Sequence, residues 1–174
     1  MIEGFKIPQV TFRIREGDTS DNEIACAIGG KWTNKSTDDF FKNKRVILFS
    51  LPGAFTPTCS SLQLPGFENN CERFKKLGID EIYCLVVNDI HVTKVWAEQT
   101  GGAKSGLKFI TDTDSSLVNK LKLSYSAPDV GLINRSKRFC IILDDLIIKK
   151  ILIEEERGVC NVTSGENILT QIDK

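Results

Sequence analysis

The sequence has one histidine, no C-x-x-C pair and no excess of charge of either sign. Each lack excludes something. A zinc site needs clustered Cys and His ligands, and a dithiol oxidoreductase needs two cysteines at close spacing. His91 alone, with cysteines at 26, 59, 71, 84, 140 and 160, meets neither need. Lys plus Arg equals Asp plus Glu, 23 of each, so no basic field exists to attract nucleic acid or an anionic membrane. No apolar run approaches the length that crosses a bilayer. The opening MIEGFKIPQ carries no basic segment followed by an apolar one, so no secretory signal is visible. What remains is a chain of 174 residues, 41% hydrophobic, which is enough for one α/β domain over 1–174 with a proper core.

The chain is organised around Val46–Gly66, VILFSLPGAFTPTCSSLQLPG. Val46 to Phe49 is a short apolar run with β-branched and aromatic residues, which reads as a buried strand. Pro52 and Gly53 stop it. Thr56-Pro57 is a helix start, with Thr as N-cap and Pro at the first helical position. Cys59 then falls in the first helical turn. Backbone N–H groups there lack intrahelical partners, and the helix dipole favours negative charge. That environment favours a thiolate nucleophile. It sits at the carboxyl end of a strand, where open α/β sheets carry their sites.

The flanking segments alternate strands and helices. Val10 to Ile14 is a half-buried strand, Glu16 to Asn22 a turn, and Glu23 to Trp32 the second arm of an edge hairpin. Ser36-Thr37-Asp38-Asp39 caps a short helix that carries Phe40 and Phe41 inward. The helix after Cys59 is expected to run to about Leu77, with Leu62, Phe67, Cys71 and Phe74 on its apolar side and a break at Pro65-Gly66. Glu81 to Val87 is a buried strand. Val92 to Thr100 is a helix with Val95 and Trp96 inward, closed by Gly101-Gly102. A strand over Leu107 to Ile110 precedes a helix started by Asp112-Thr113-Asp114. Ser124 to Lys137 shows no period and is expected to be the longest loop. Arg138–Leu143 and Ile147–Ile153 form a hairpin, and Gly165 to Ile172 a closing helix. The pattern implies a mixed sheet flanked by helices, with an N-terminal edge hairpin. Cys26, Cys84 and Cys140 lie in apolar contexts and read as buried, reduced thiols, which points to a reducing compartment.

The string Pro52-Gly-Ala-Phe-Thr-Pro-Thr-Cys59-Ser resembles the active-site signature of peroxiredoxins. With Leu64-Pro-Gly-Phe67 after it, the run is similar to the type II, or type V, subfamily. Val87-Asn88-Asp89, Val95-Trp96-Ala97 and Lys137-Arg138-Phe139 extend the likeness from about residue 8 to the C-terminus. The resemblance implies a thioredoxin fold, a homodimer, and reduction of hydrogen peroxide, organic hydroperoxides and peroxynitrite without metal or organic cofactor. It makes Cys59 the peroxidatic thiolate, which attacks one peroxide oxygen and becomes a sulfenic acid. Thr56 would orient the peroxide through its hydroxyl, and Pro52 would shield the thiolate from water. Arg138 would pair with the thiolate and polarise the peroxide. Its fork of donors suits charge spread over S–O–O. Arg135 and Lys137 are near enough to be confused with it, and the Lys-Arg-Phe match selects Arg138.

The resolving step is less well matched. Cys84 stands where plant type II members carry their second cysteine, but inside a buried strand. Cys160 falls two residues before the place where animal type V members carry theirs. The expectation is a one-cysteine-like cycle recycled by glutathione or glutaredoxin. The alternative is a thioredoxin-recycled enzyme using Cys84 or Cys160. Leu51 stands where a valine is frequent, and His91 where many members carry an aromatic residue near the dimer contact. A cysteine hydrolase would need His91 beside Cys59, a redox sensor would share Cys59 without turnover, and a structural thioredoxin-fold module would need neither. The expected home is the cytoplasm, or a mitochondrion or plastid if a leader precedes this chain.

Overall fold

A computed structural model describes residues 2–16 and 30–172. Its centre is a five-stranded mixed sheet ordered β5-β4-β3-β8-β9. The strands are β3 (Arg45–Ser50), β4 (Glu81–Val86), β5 (Lys108–Thr111), β8 (Phe139–Asp144) and β9 (Ile147–Ile153). Strand β3 runs parallel to β4 and antiparallel to β8. Being central and covered on both sides, β3 has no polar alternation: Val46, Ile47, Leu48 and Phe49 are all fully buried.

The period of two still sorts its side chains between two cores. Ile47, Phe49 and Leu51 point to one side with Cys84 of β4 and Cys140 of β8. Val46 and Leu48 point to the other with Leu85 and Ile141. Over the first face lie α2 (Leu64–Glu68), α3 (Cys71–Lys76), α4 (Ile90–Thr100), which the short α5 (Gly102–Ser105) follows, and α7 (Gly165–Gln171), through Phe67, Phe74, Trp96 and Ile168. Phe49 stacks on Phe67 with ring centroids 3.9 Å apart, which seats the helix that follows Cys59. Over the second face lie α1 (Thr37–Phe41), α6 (Ser116–Lys120) and the hairpin strand β1 (Thr11–Glu16), through Phe41, Leu117 and Phe12. This is the mixed sheet between helices that the alternating pattern implied.

Short helices are started by their caps. Ser36 and Asp39 form a reciprocal capping box on α1, and Phe41 is fully buried while Phe40 is half-buried. Asp89 caps α4 by accepting from the N–H groups of His91 and Val92, and Gly101 ends it at φ 86. Thr93, Trp96 and Ala97 form the buried stripe of α4, while Val95 is half-exposed.

Four expectations are corrected. The hairpin partner of β1 is β2 (Lys31–Ser36), paired from Thr11↔Ser36 to Glu16↔Lys31, so the arm expected from Glu23 to Trp32 is found further on, and its residues 23–29 lie outside the described ones. Its side chains are exposed or half-buried, so no apolar period marks it. Cys26 and the turn after Glu16 lie outside the described residues. The stretch 124–137 is not a loop: β6 (Ser124–Ala127) and β7 (Leu132–Ser136) pair as an antiparallel ribbon. The ribbon stands apart from the main sheet and buries little, so alternation is weak. The helix after Cys59 continues through Pro65-Gly66 and breaks instead at Asn69-Asn70. It opens with a π-turn over Cys59–Gln63, closed by the Leu64 N–H donating to the Cys59 carbonyl. The extra residue in that turn rotates the following face, so Leu62 is exposed and Leu64 takes the core position.

The end of α7 nearest this segment is set by a glycine contact. A Cβ on Gly165 would lie 2.2 Å from the Gly66 carbonyl oxygen. That neighbour is backbone inside α2 and cannot swing away. Gly165→Ala is expected to cost about 3 kcal/mol through overpacking. For a chain of this size that is a fall of roughly 10 °C in the thermal midpoint. An unchanged melting curve would mean that α7 shifts freely on α2.

Candidate active site

The site starts where β3 ends. Ser50 is buried, and its hydroxyl donates to the Leu85 carbonyl at 2.9 Å and shares a 2.7 Å bond with Ser136. Leu51 and Pro52 follow, both buried. The turn beyond them is held from β4's end: Asn88 Oδ1 accepts the Ala54 N–H at 2.9 Å. Phe55 sits in the left-handed region at φ 59 and is 54% exposed. Such a backbone is costly for an aromatic residue and persists only where its surroundings fix it. On its other side the Thr56 hydroxyl donates to the Gly53 carbonyl at 2.8 Å. The Thr56 carbonyl accepts the Ser60 N–H at 3.1 Å, so the helix begins at Pro57 as its chemistry dictates. With its proton committed to Gly53, the Thr56 oxygen presents lone pairs to an incoming hydroxyl.

Cys59 opens the π-turn and is 1% exposed. Its thiol is reached from the other side of the sheet's edge by Arg138, the residue before β8, which is 3% exposed. Arg138 Nη1 donates to Cys59 Sγ at 3.4 Å and to Gln63 Oε1 at 2.5 Å. Arg138 Nη2 donates to the Arg157 carbonyl at 3.3 Å. A second backbone tie, Glu154 N–H to the Arg138 carbonyl at 3.0 Å, anchors it to the end of β9. The guanidinium is therefore held on three sides. The π-turn is what lets Cys59 and Gln63 share one of its nitrogens. Ser60 Oγ, next to the thiol, accepts the indole N–H of buried Trp96 at 3.0 Å.

Two clefts meet at Pro52 and Arg138. One, about 300 Å³, is lined by Thr56, Pro57, Val130, Leu132 and Arg157 as well. The other, about 230 Å³, adds Tyr125, Lys137, Glu155 and Glu156. Pro52, Thr56 and Arg138 all line the larger cleft, and Arg138 links it to the Cys59 thiol. The arrangement can hold a small molecule with an O–O bond, placing one oxygen against Cys59 Sγ and offering Arg138 donors to developing negative charge.

All four residues singled out in sequence, Pro52, Thr56, Cys59 and Arg138, lie in this one place. Of their rivals, Lys137 lines the smaller cleft, but the hydrogen bond to Cys59 comes from Arg138. Lys137 is exposed, and Arg135 lies over Gly53, whose added Cβ would be 3.5 Å from its Nη1. His91 is exposed on the first turn of α4, edge-on to Trp32 at 6.2 Å. Cys84 is fully buried in β4, and burial, with the negative charge of Cys59 adding to it, pushes its thiol well up. Cys160 is half-buried in the loop before α7, with Sγ 4.0 Å from Thr163 Oγ1. Burial pushes its thiol up too, partly offset by the Arg138 cation. Sequence reasoning missed Gln63, Tyr125 and Arg157. Only Gln63 carried a signal, a polar side chain four residues after Cys59 and so on the same helical side.

The redoxin family model matches residues 3–169. A curated relative from Rhizobium etli, called peroxiredoxin, is 40% identical over 170 residues, covering 94% of this chain and 92% of its own. Among solved structures, reduced Prx3 in complex with hydrogen peroxide from Vibrio vulnificus is similar, with a TM-score of 0.84 and 27% identity over 99% of this chain and 96% of that one. So is the Plasmodium falciparum antioxidant protein, titled a 1-Cys peroxiredoxin, with a TM-score of 0.84, 28% identity, and 97% and 98% coverage.

Proposed function

The chain belongs to the peroxiredoxins, thiol peroxidases with a thioredoxin fold, and on that premise we propose that it runs a one-cysteine cycle recycled by glutathione or glutaredoxin. The carrying observation is the Cys59–Arg138–Gln63 cluster; among the described residues the other thiols are buried or half-buried, and none is bonded to Cys59. Cys59 Sγ attacks the nearer peroxide oxygen in line. The O–O bond breaks and hydroxide or alkoxide leaves, taking a proton. Arg138 stabilises the charge spread along S–O–O, and Gln63 fixes the plane of its guanidinium. Thr56 accepts the peroxide's O–H and so sets which oxygen faces sulfur. Pro52 keeps bulk water from the thiolate. The apolar rim of Pro57, Val130 and Leu132 suits an alkyl chain, which supports organic hydroperoxides beside hydrogen peroxide, with peroxynitrite as a further substrate.

Two features support an external reductant. Cys84 is sealed in β4, so meeting a Cys59 sulfenic acid needs that strand's surroundings to open. Cys160 is half-buried with its thiol pushed up, which makes it a slow nucleophile at neutral pH. The similar Plasmodium falciparum antioxidant protein is a 1-Cys peroxiredoxin. The reading includes a homodimer. It also includes a cytoplasmic home, which suits the five free cysteines among the described residues.

Intact mass of the reduced protein after one equivalent of peroxide tests this. The expected result is a gain of one oxygen, removed by glutathione. A loss of two hydrogens instead, abolished by Cys160→Ser or Cys84→Ser and paired with full turnover on thioredoxin alone, would replace the one-cysteine cycle by an internal disulfide.

A further inference from the structure

The smaller cleft holds donors that nothing in the peroxide step uses. Arg138 Nε is buried without a hydrogen-bond partner, although Nη1 and Nη2 both donate. The Tyr125 hydroxyl is also buried without a partner. Both residues line this cleft. A buried N–H and a buried phenol left unpaired each cost free energy, and a ligand oxygen would recover it. Burial pushes the Tyr125 phenol up, so it remains a neutral donor. At the rim stand two cations, Lys137 and Arg157, and two exposed carboxylates, Glu155 and Glu156; a third carboxylate, buried Glu154, also lines the cleft, with its Oε1 already taken by the N–H groups of Asn161 and Thr163 and the Thr163 hydroxyl. Donors inside with cations beside them call for a carboxylate. Carboxylates at the rim call for an ammonium. A group carrying both is an α-amino acid end.

We propose that this cleft binds the zwitterionic γ-glutamyl end of a glutathione-class thiol and directs its sulfur to oxidised Cys59. The cleft shares Pro52 and Arg138 with the larger one, and Arg138 Nη1 bonds Cys59 Sγ at 3.4 Å, so a ligand anchored at Tyr125 and Lys137 is separated from the reacting sulfur by one guanidinium. The inference rests on the external-thiol reading above. In the step it serves, the bound thiol attacks Cys59–SOH. An S–S bond forms, the S–O bond breaks, and hydroxide leaves with the thiol's proton as water. A second thiol then attacks the ligand-side sulfur of the mixed disulfide and releases reduced Cys59. Two thiols are oxidised to one disulfide for each peroxide reduced.

The test uses the whole reduced protein and S-methylglutathione, which keeps the zwitterionic end but cannot react. Titration by calorimetry is expected to show saturable binding, weakened about tenfold in a Tyr125→Phe/Lys137→Gln variant through loss of charge-assisted hydrogen bonds. N-acetylation of the ligand is expected to weaken it as well. In turnover, the same variant should raise KM for glutathione about tenfold with little change in kcat, and leave recycling by β-mercaptoethanol unmoved. Melting curves confirm that the variant is folded. Absent binding, equal binding in both proteins, or equal loss with both thiols would overturn the assignment. If S-methylglutathione binds as expected but glutathione sustains no turnover, the binding site stands and the choice of reductant falls.

Discussion

Cys59→Ser is expected to reduce peroxide consumption to the level of buffer, a loss of roughly 10⁴-fold or more. The hydroxyl oxygen is nearly isosteric but stays protonated at neutral pH, and it lacks sulfur's polarisability. Neither neighbour in its hydrogen-bond cluster is a base: Arg138 only donates, and the Gln63 oxygen is already taken by Arg138. The fold should tolerate the change at a cost of about 1 kcal/mol, since a small buried group replaces another of similar shape. Peroxide disappearance and intact mass are read together. The variant should gain no oxygen at position 59. Retention of even a tenth of the activity would move the reactive thiol elsewhere, and Cys160 would be examined first. Cys71, Cys84 and Cys140 are all sealed in the core, each with its thiol pushed up by burial.

How much of this was legible in the sequence depends on burial. Val46–Phe49 read correctly because a strand covered on both faces must be apolar throughout. Thr56-Pro57 marked the helix start correctly because such a start has few chemical solutions, although the Thr56 hydroxyl donates to the Gly53 carbonyl instead of capping an N–H. Arg138 was harder. Three cations lie within four residues, and residue type alone does not rank them. The Lys-Arg-Phe match selected Arg138, and the structure gives the physical reason: Ser136 and Arg138 are buried while Lys137 between them is exposed, as a strand approaching β8 requires. The π-turn left almost no trace. An extra residue in a helical turn changes which side chains face inward without changing composition, so Leu62 was placed inside and Gln63 was passed over. Strands β2, β6 and β7 were missed or misplaced for the opposite reason. They bury little, and a sheet edge stabilised by backbone pairing writes no hydrophobic period. Tyr125, on that ribbon, carried no signal until the ribbon brought it beside Arg138.

Arg138→Lys tests whether charge or geometry carries catalysis. A lysine keeps the positive charge but offers one nitrogen where Arg138 uses two at fixed separation. Nη1 is shared by Cys59 and Gln63, and Nη2 holds the Arg157 carbonyl. An ammonium at the end of a flexible stem can serve Cys59 or the Arg157 carbonyl, not both in one geometry. The expected loss in kcat/KM for hydrogen peroxide is roughly 10²-fold for Arg138→Lys and roughly 10³-fold for Arg138→Ala, in the range seen when a preorganised donor is removed. The alanine variant carries a further burden. It leaves Gln63 Oε1 and the Arg157 carbonyl without their donor, at about 1–3 kcal/mol of stability. Stopped-flow oxidation of reduced protein, before any thiol acts, isolates the step, and melting curves separate lost folding from lost chemistry. Wild-type rates in Arg138→Lys would mean that a positive charge anywhere near the thiol suffices and that the Gln63 and Arg157 contacts are structural. Equal losses in both variants would mean the opposite: the donor fork, aimed by the π-turn on one side and the β9 end on the other, is what the peroxide's transition state requires.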